Sequence, residues 1–182
     1  MKFNHSTLIG GVLLGASLLS GCSVSIEGDD YQQTRPAFDI MQFFDGDVKA
    51  WGIVQNRSGD VVQRFVVDIE GTAEGSQLTL NESFNYSVGE GPSTRIWHIT
   101  QQADGRFTGT ASDIKGSAIG TSYGNAFNFH YTMDLLVDDT TYSVTFDDWF
   151  WGFDEHTMMN RSYIRKFGLV MAEVTIFMQK QP

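Results

Sequence analysis

The sequence predicts an all-β domain whose strands, joined by short turns, close into an antiparallel up-and-down β-barrel. Three observations lead there. Turn-forming clusters recur about every 10–15 residues between positions 56 and 139. The segments between them alternate apolar and polar side chains with the period of two that a half-buried strand requires. Nineteen glycines supply the bends and close backbone approaches that a closed sheet needs. Closure also removes the exposed edges that would template aggregation. An open β-sandwich built from the same strands is the alternative architecture.

The chain begins with a segment outside that domain. Lys2 provides a positive start, and Leu8–Leu19, with Ile9, Val12, Leu13, Leu14 and Leu18, provides an apolar run of twelve residues ending at Leu19-Ser20-Gly21-Cys22. A hydrocarbon core of about 30 Å takes roughly 20 helical residues to cross, so residues 1–21 read as a secretory signal rather than a span. A small residue directly before a cysteine, with leucine three positions upstream of it, resembles the lipobox cut by bacterial lipoprotein-processing enzymes. Cys22 is the only cysteine, which leaves no intrachain disulfide and no cysteine metal site, and lipidation accounts for an otherwise unpaired thiol in a secreted chain. Two or more acyl chains make release from a membrane slow. The expected partner is therefore a membrane, held through Cys22. Ser23 rather than Asp follows it, which resembles the sorting pattern of Gram-negative lipoproteins at the outer membrane, with the domain facing the periplasm.

Removing residues 1–21 lowers Lys plus Arg from 12 to 11 against 22 Asp plus Glu, so the remaining 161 residues carry a net charge of −11. A surface this acidic repels phosphate backbones and anionic head groups, which argues against nucleic acid as a partner and against attachment through a basic patch. The length suits one domain with a single sizeable core. Residues 22–37, with Ser23, Ser25, Gly28, Asp29, Asp30, Gln32, Gln33 and Pro36, have no sustained apolar period and read as a tether, so the barrel domain is placed at 38–182, starting near Phe38.

Within it, strands are expected at Val48–Gln55 and Val61–Glu70, separated by the turn Asn56-Arg57-Ser58-Gly59-Asp60. In Gln77–Tyr86, Leu78, Leu80, Phe84 and Tyr86 share a face while Thr79, Asn81, Ser83 and Asn85 take the other. Thr94–Gln101 and Arg106–Ile114 follow across the turn Ala103-Asp104-Gly105. The longest alternation runs through Phe127, Phe129, Tyr131, Met133, Leu135 and Val137, and Thr141–Asp148 comes after the turn Val137-Asp138-Asp139. Phe150–Arg161 breaks the pattern and reads as a loop or short helix before the last strand, Leu169–Gln179. The total is eight or more strands.

The chain lacks the Gly-x-Ser-x-Gly elbow, the His-Glu-x-x-His zinc motif and any phosphate-cradling glycine loop. His5 leaves with the signal, and His98, His130 and His156 are too scattered for metal-ligand spacing. No metal or cofactor is implied. What stands out is charge on faces that otherwise look buried. Glu82 lies between Leu80 and Phe84, and Asp148 shares the parity of Tyr142, Val144 and Phe146. A buried carboxylate must be paired, or it holds its proton, and Arg95, Arg161 and Arg165 are the available partners. One reading places Glu82 and an arginine inside the barrel, holding the polar end of a ligand whose apolar part lies against Phe and Met side chains. Arg95, Trp97, Asp113, Asp148 and Arg161 complete the candidate binding set. The other reading is a polar cluster that closes one end of the barrel. Acid–base catalysis by Asp147 and Asp148 fits poorly, because neighbours on a strand point to opposite faces. A second feature is aromatic density: Phe146, Trp149, Phe150, Trp151, Phe153 and Tyr163. The segment is either an exposed lid that touches lipid or a partner, or a loop packed across the barrel mouth.

Several short motifs coincide in one chain: Phe44-Asp45-Gly46 with Ala50-Trp51-Gly52, Gly109-Thr110-Ala111-Ser112-Asp113-Ile114-Lys115-Gly116, Gly124-Asn125-Ala126, Phe146-Asp147-Asp148-Trp149, and Asn160-Arg161 with Lys166-Phe167-Gly168. In combination they resemble the Gram-negative lipoproteins catalogued as domain of unknown function 3833, over nearly the whole mature chain. The resemblance implies a lipoprotein and supplies no assigned activity or catalytic residues to carry over. It implies a lipid-related role only by association, since genes of that family often sit beside enzymes that modify fatty acyl chains. A fainter similarity to lipocalins implies a tryptophan on the first strand packed by an arginine from the end of the barrel. Gly46 and Trp51 depart from the lipocalin Gly-x-Trp spacing. Together these expectations describe a lipid-anchored barrel that binds a small apolar or lipid-derived ligand, a fatty acid among the possibilities, without catalysis. A filled-core module that docks another envelope protein, and an unrecognised hydrolase-type enzyme, are the alternatives.

Overall fold

The computed structural model describes residues 25–137 and 139–182; the signal segment, Cys22 and Asp138 lie outside the described residues. Ten strands run in chain order: β1 (Gly46–Asn56), β2 (Val61–Glu74), β3 (Gln77–Val88), β4 (Thr94–Gln101), β5 (Phe107–Thr110), β6 (Ile114–Tyr123), β7 (Ala126–Val137), β8 (Thr140–Gly152), β9 (Thr157–Lys166) and β10 (Leu169–Lys180). Each pairs antiparallel with the next, and β1 closes on β10 from Val48↔Lys180 to Asn56↔Ala172. The result is the up-and-down barrel, not the open sandwich.

One end, the base, is plugged from within. Asp39 accepts from the backbone amides of Met41 (2.9 Å) and Gln42 (3.3 Å) and so caps a short helix, α1 (Ile40–Phe44). Ile40, Phe43 and Phe44 are buried in the barrel core, and the Lys180 ammonium donates to the carbonyls of Gln42 and Asp45, each at 2.7 Å, at the helix C-terminus. Where α1 crosses β2 the backbones nearly touch: a Cβ on Gly71 would lie 1.6 Å from the Phe44 carbonyl oxygen. Among the described residues, the other end, the mouth, has no such plug.

Ahead of the plug, residues 26–35 run along the outer wall, and Phe38 turns into the core against Phe43. Tyr31 sits beside Trp149 and Trp151, with ring centroids 6.0 and 6.2 Å apart, and the Phe38 amide donates to the Gly124 carbonyl at 2.8 Å. The rest of the outer wall carries ion pairs such as Lys49–Asp68 (3.0 Å) and Lys115–Asp134 (2.8 Å). The charged side chains of these two pairs are at least partly exposed. No helix among the described residues is long and apolar enough to cross a membrane.

Two segments differ from expectation. Phe150–Arg161 is neither loop nor helix: β8 continues to Gly152, a tight turn follows, and β9 starts at Thr157. Alternation fails there because both faces are covered. Phe150 points inward to the core, while Trp149 packs outward against Tyr31 and Tyr123 beneath the N-terminal segment. Arg106–Ile114 is not one strand either. β5 ends at Thr110, the chain turns at Ala111–Asp113, and β6 occupies 114–123, a stretch with too little apolar periodicity to read as a strand. Its inward positions belong to Ala118 and Gly120 because aromatic rings occupy the space beside them: a Cβ on Gly120 would stand 2.6 Å from Phe127 Cζ. The register shift between Lys115 and Ile119, with Gly116 at φ 67°, masks the pattern further.

Candidate functional site

The inward faces of β3, β4, β7, β8 and β9 bring the unusual polar residues together at mid-height. Glu82 and Arg95 are directly opposed across the β3–β4 ladder. β4 outruns its neighbour, since the last β4–β5 rung is His98↔Thr110. Arg95 therefore stands above the end of β5 and meets the Ala111–Asp113 turn, where its Nε and Nη2 donate to Asp113 Oδ2 at 2.9 and 2.6 Å. The pair is largely sheltered, with side chains 17% and 31% exposed.

Across the lumen, the Tyr131 hydroxyl donates to Asp148 Oδ2 at 3.1 Å. The Tyr131 ring stacks on Phe146 at 5.0 Å and stands edge-on to Trp97 at 5.3 Å. Asp148 pairs with Ser162 across the β8–β9 ladder, and Asn160, the next inward residue of β9, donates to the Trp149 carbonyl at 3.1 Å. Asp148, Ser162 and Asn160 are all buried. Two carboxylate oxygens in this group, Asp148 Oδ1 and Asp113 Oδ1, are shielded from solvent and have no hydrogen-bond partner among the described residues.

The electrostatics follow from this enclosure. Burial pushes the Glu82 carboxyl from 4.5 up to about 7, with Asp113 and Asp148 adding to the rise and Arg95 opposing it. Burial likewise carries Asp148 from 3.8 to about 7, against the pull of Ser162, Tyr131 and Arg95. Tyr131 is raised well above its ordinary value by burial and by the Asp148 charge. Burial works against the Arg95 charge, yet Tyr131, Glu82 and Asp113 outweigh it and its pKa rises. Three carboxylates thus share one guanidinium.

Toward the mouth, inward-facing Phe84, Tyr86, Ile114 and Leu135 are only half-buried. Toward the base, Trp97, Phe107, Phe127 and Phe129 fill the interior ring against ring. A notch of about 40 Å³ beside Pro36, Phe38 and Asp154 lies at the base, away from the cluster.

Of the residues singled out from sequence, Glu82, Arg95, Trp97, Asp113 and Asp148 meet inside the barrel. Arg161 does not. It lies on the outer wall, where its Nε donates to Glu173 Oε2 at 3.0 Å, because it has the opposite parity to the inward Asn160 and Ser162. Arg165 also faces outward, with its Nη2 3.6 Å from Asp147 Oδ2. Asp147 and Asp148 accordingly stand on opposite faces of β8. Trp51 is on the outer wall as well, its ring centroid 5.9 Å from that of Phe177. Tyr131, Asn160 and Ser162 are the members that sequence reasoning missed. Among the described residues no group of His, Cys, Asp or Glu is placed to hold a metal ion.

Residues 16–180 match the family described as "Protein of unknown function (DUF3833)". The chain belongs to the DUF3833 family. No curated protein matches it. In this DUF3833 member the interior cluster gathers the buried, incompletely partnered carboxylates.

Proposed function

We propose that this DUF3833 protein binds a small amphipathic, lipid-derived ligand in the mouth half of the barrel, and that it does so as a lipoprotein anchored through Cys22 to the outer membrane and facing the periplasm. The observation that carries the reading is the sheltered, incompletely partnered polar cluster of Glu82, Arg95, Asp113, Tyr131 and Asp148, set where the interior changes from packed rings to half-exposed apolar side chains. Buried charge with orphaned oxygens is costly and collects at functional sites. A few convergent polar groups beneath an apolar collar suit a ligand with one polar end.

The rim supports a lipid source for that ligand. Leu136, Phe167 and Leu169, on two hairpins at the mouth, are 72%, 93% and 55% exposed. Phe167 adopts φ 51°, a left-handed conformation uncommon and strained for a bulky residue. At the tip of the β9–β10 hairpin, Asn would be the ordinary choice.

The test is native mass spectrometry of the chain from residue 22 onward bearing C22S, purified without detergent from cells, followed by organic extraction. The reading expects an extractable amphiphile in stoichiometric amount. Repeated recovery of an empty protein, including after incubation with envelope lipids, overturns it. In that event the closely packed lower interior favours the alternative of a filled barrel that docks another envelope protein.

A further inference from the structure

The interior cluster also constrains the chemistry of the ligand's polar end, and this step rests on the binding reading above. We propose that the head group is cationic and rich in hydrogen-bond donors, an amine or ammonium, seated between Glu82 and Asp148 with its apolar chain directed to the mouth.

Arg95, the one guanidinium in the cluster, already gives two donors to a single oxygen of Asp113. Tyr131 spends its hydroxyl proton on Asp148 Oδ2. Within the cluster, what remains unpartnered among the described residues is acceptor capacity, Asp148 Oδ1 and Asp113 Oδ1; the other buried polar atom without a partner, Trp149 Nε1, belongs to the outward-facing Trp149. Asp148 is only 7% exposed and lies on the inward face of β8 between Phe146 and Phe150. A buried carboxylate oxygen without a donor is satisfied by a donor brought from outside, and an ammonium brings three.

The charge balance points the same way. A ligand carboxylate would add a fourth acidic group to three that already share one cation, and repulsion between carboxylates in a sheltered site disfavours its ionised form. An alcohol would supply one donor and leave the charge imbalance as it was. An ammonium supplies both what the oxygens lack and the charge that lets Glu82 and Asp148 ionise, and charge-assisted hydrogen bonds of this kind are the stronger class. An ammonium seated there would favour ionisation of both carboxylates against the burial that raises their protonation. The collar of Phe84, Tyr86, Ile114 and Leu135 above it offers the chain an apolar wall, and the ring faces of Phe84 and Tyr86 are compatible with a nearby positive charge.

The experiment compares three probes of equal length on the same C22S chain: decylamine, decanol and decanoate, each below its micelle concentration, titrated by calorimetry at pH 7.5. The proposal expects decylamine to bind about tenfold or more tightly than decanol, and decanoate to bind weakest. E82Q and D148N should each weaken decylamine binding by a larger factor than decanol binding, so that the preference for the amine shrinks. Circular dichroism confirms that each variant is folded, and the wild-type series alone decides the question where one is not. Equal or tighter binding of decanol or decanoate overturns the head-group assignment and leaves ligand binding standing. Binding of none of the three overturns both.

Discussion

Replacing Asp148 with asparagine keeps the shape of the side chain and removes its ionisable oxygen. In the folded barrel, burial raises the Asp148 carboxyl from 3.8 to about 7. Between those two values the native state holds a proton that the unfolded chain has released, so stability falls as pH rises across that interval and levels off above about 7. Each unit corresponds to about 1.4 kcal/mol, so the full displacement is worth on the order of 4 kcal/mol. Roughly 3 kcal/mol of it accrues between pH 5 and the folded value. The amide oxygen of the substituted side chain can still accept from Tyr131. The D148N variant is therefore expected to gain little over wild type below pH 4 and to gain about 2–3 kcal/mol more at pH 8 than at pH 5. Urea unfolding followed by tryptophan fluorescence at both pH values measures this. An effect that is the same at both, or a loss of stability at pH 8, would refute the claim that Asp148 is held protonated by burial.

Three further substitutions probe other parts of the account. R95M leaves Asp113 and Glu82 without their cation, and should cost about 3 kcal/mol at pH 8, less at pH 5, by the same unfolding assay. G71A drives a methyl group into the Phe44 carbonyl 1.6 Å away, so α1 must shift; a loss of about 1–3 kcal/mol and faster amide exchange over Ile40–Phe44 are expected. F167N relieves a left-handed phenylalanine at φ 51° and should raise stability by about 1 kcal/mol, read as an upward shift in Tm.

How much of the fold and site is legible in the sequence depends on parity. Glu82 and Asp148 stand out because each interrupts an apolar face within a strand whose alternation is clean on at least one side. Arg95 and Asp113 can be named from sequence, but not the stop of β5 at Thr110 that turns them toward each other. The failures share one physical origin, the covering of faces that a water-facing strand would leave polar. Trp149 and Trp151 face outward but lie beneath Tyr31, so β8 loses its period at Asp148 and β9 does not show. Without β9 there is no parity for residues 157–166. Arg161 then passes for an interior partner, while Asn160 and Ser162, at the inward positions between Met158 and Ile164, go unnoticed. β6 is invisible for the opposite reason: its inward residues are small, because Phe107 and Phe127 fill the space beside Gly120.

The central claim is that the mouth half of the barrel holds an amphiphile above the acidic cluster, and photolabelling tests it most directly. An alkylamine bearing a terminal diazirine would be equilibrated with the C22S chain, irradiated, and its adducts mapped by peptide mass spectrometry. The account predicts labels on inward residues of the mouth half, Phe84 and Tyr86 of β3 and Leu135 of β7, suppressed by excess decylamine. Labels confined to the outer wall around Trp51 and Phe177, or to the rim at Phe167 and Leu169 without competition, would contradict it.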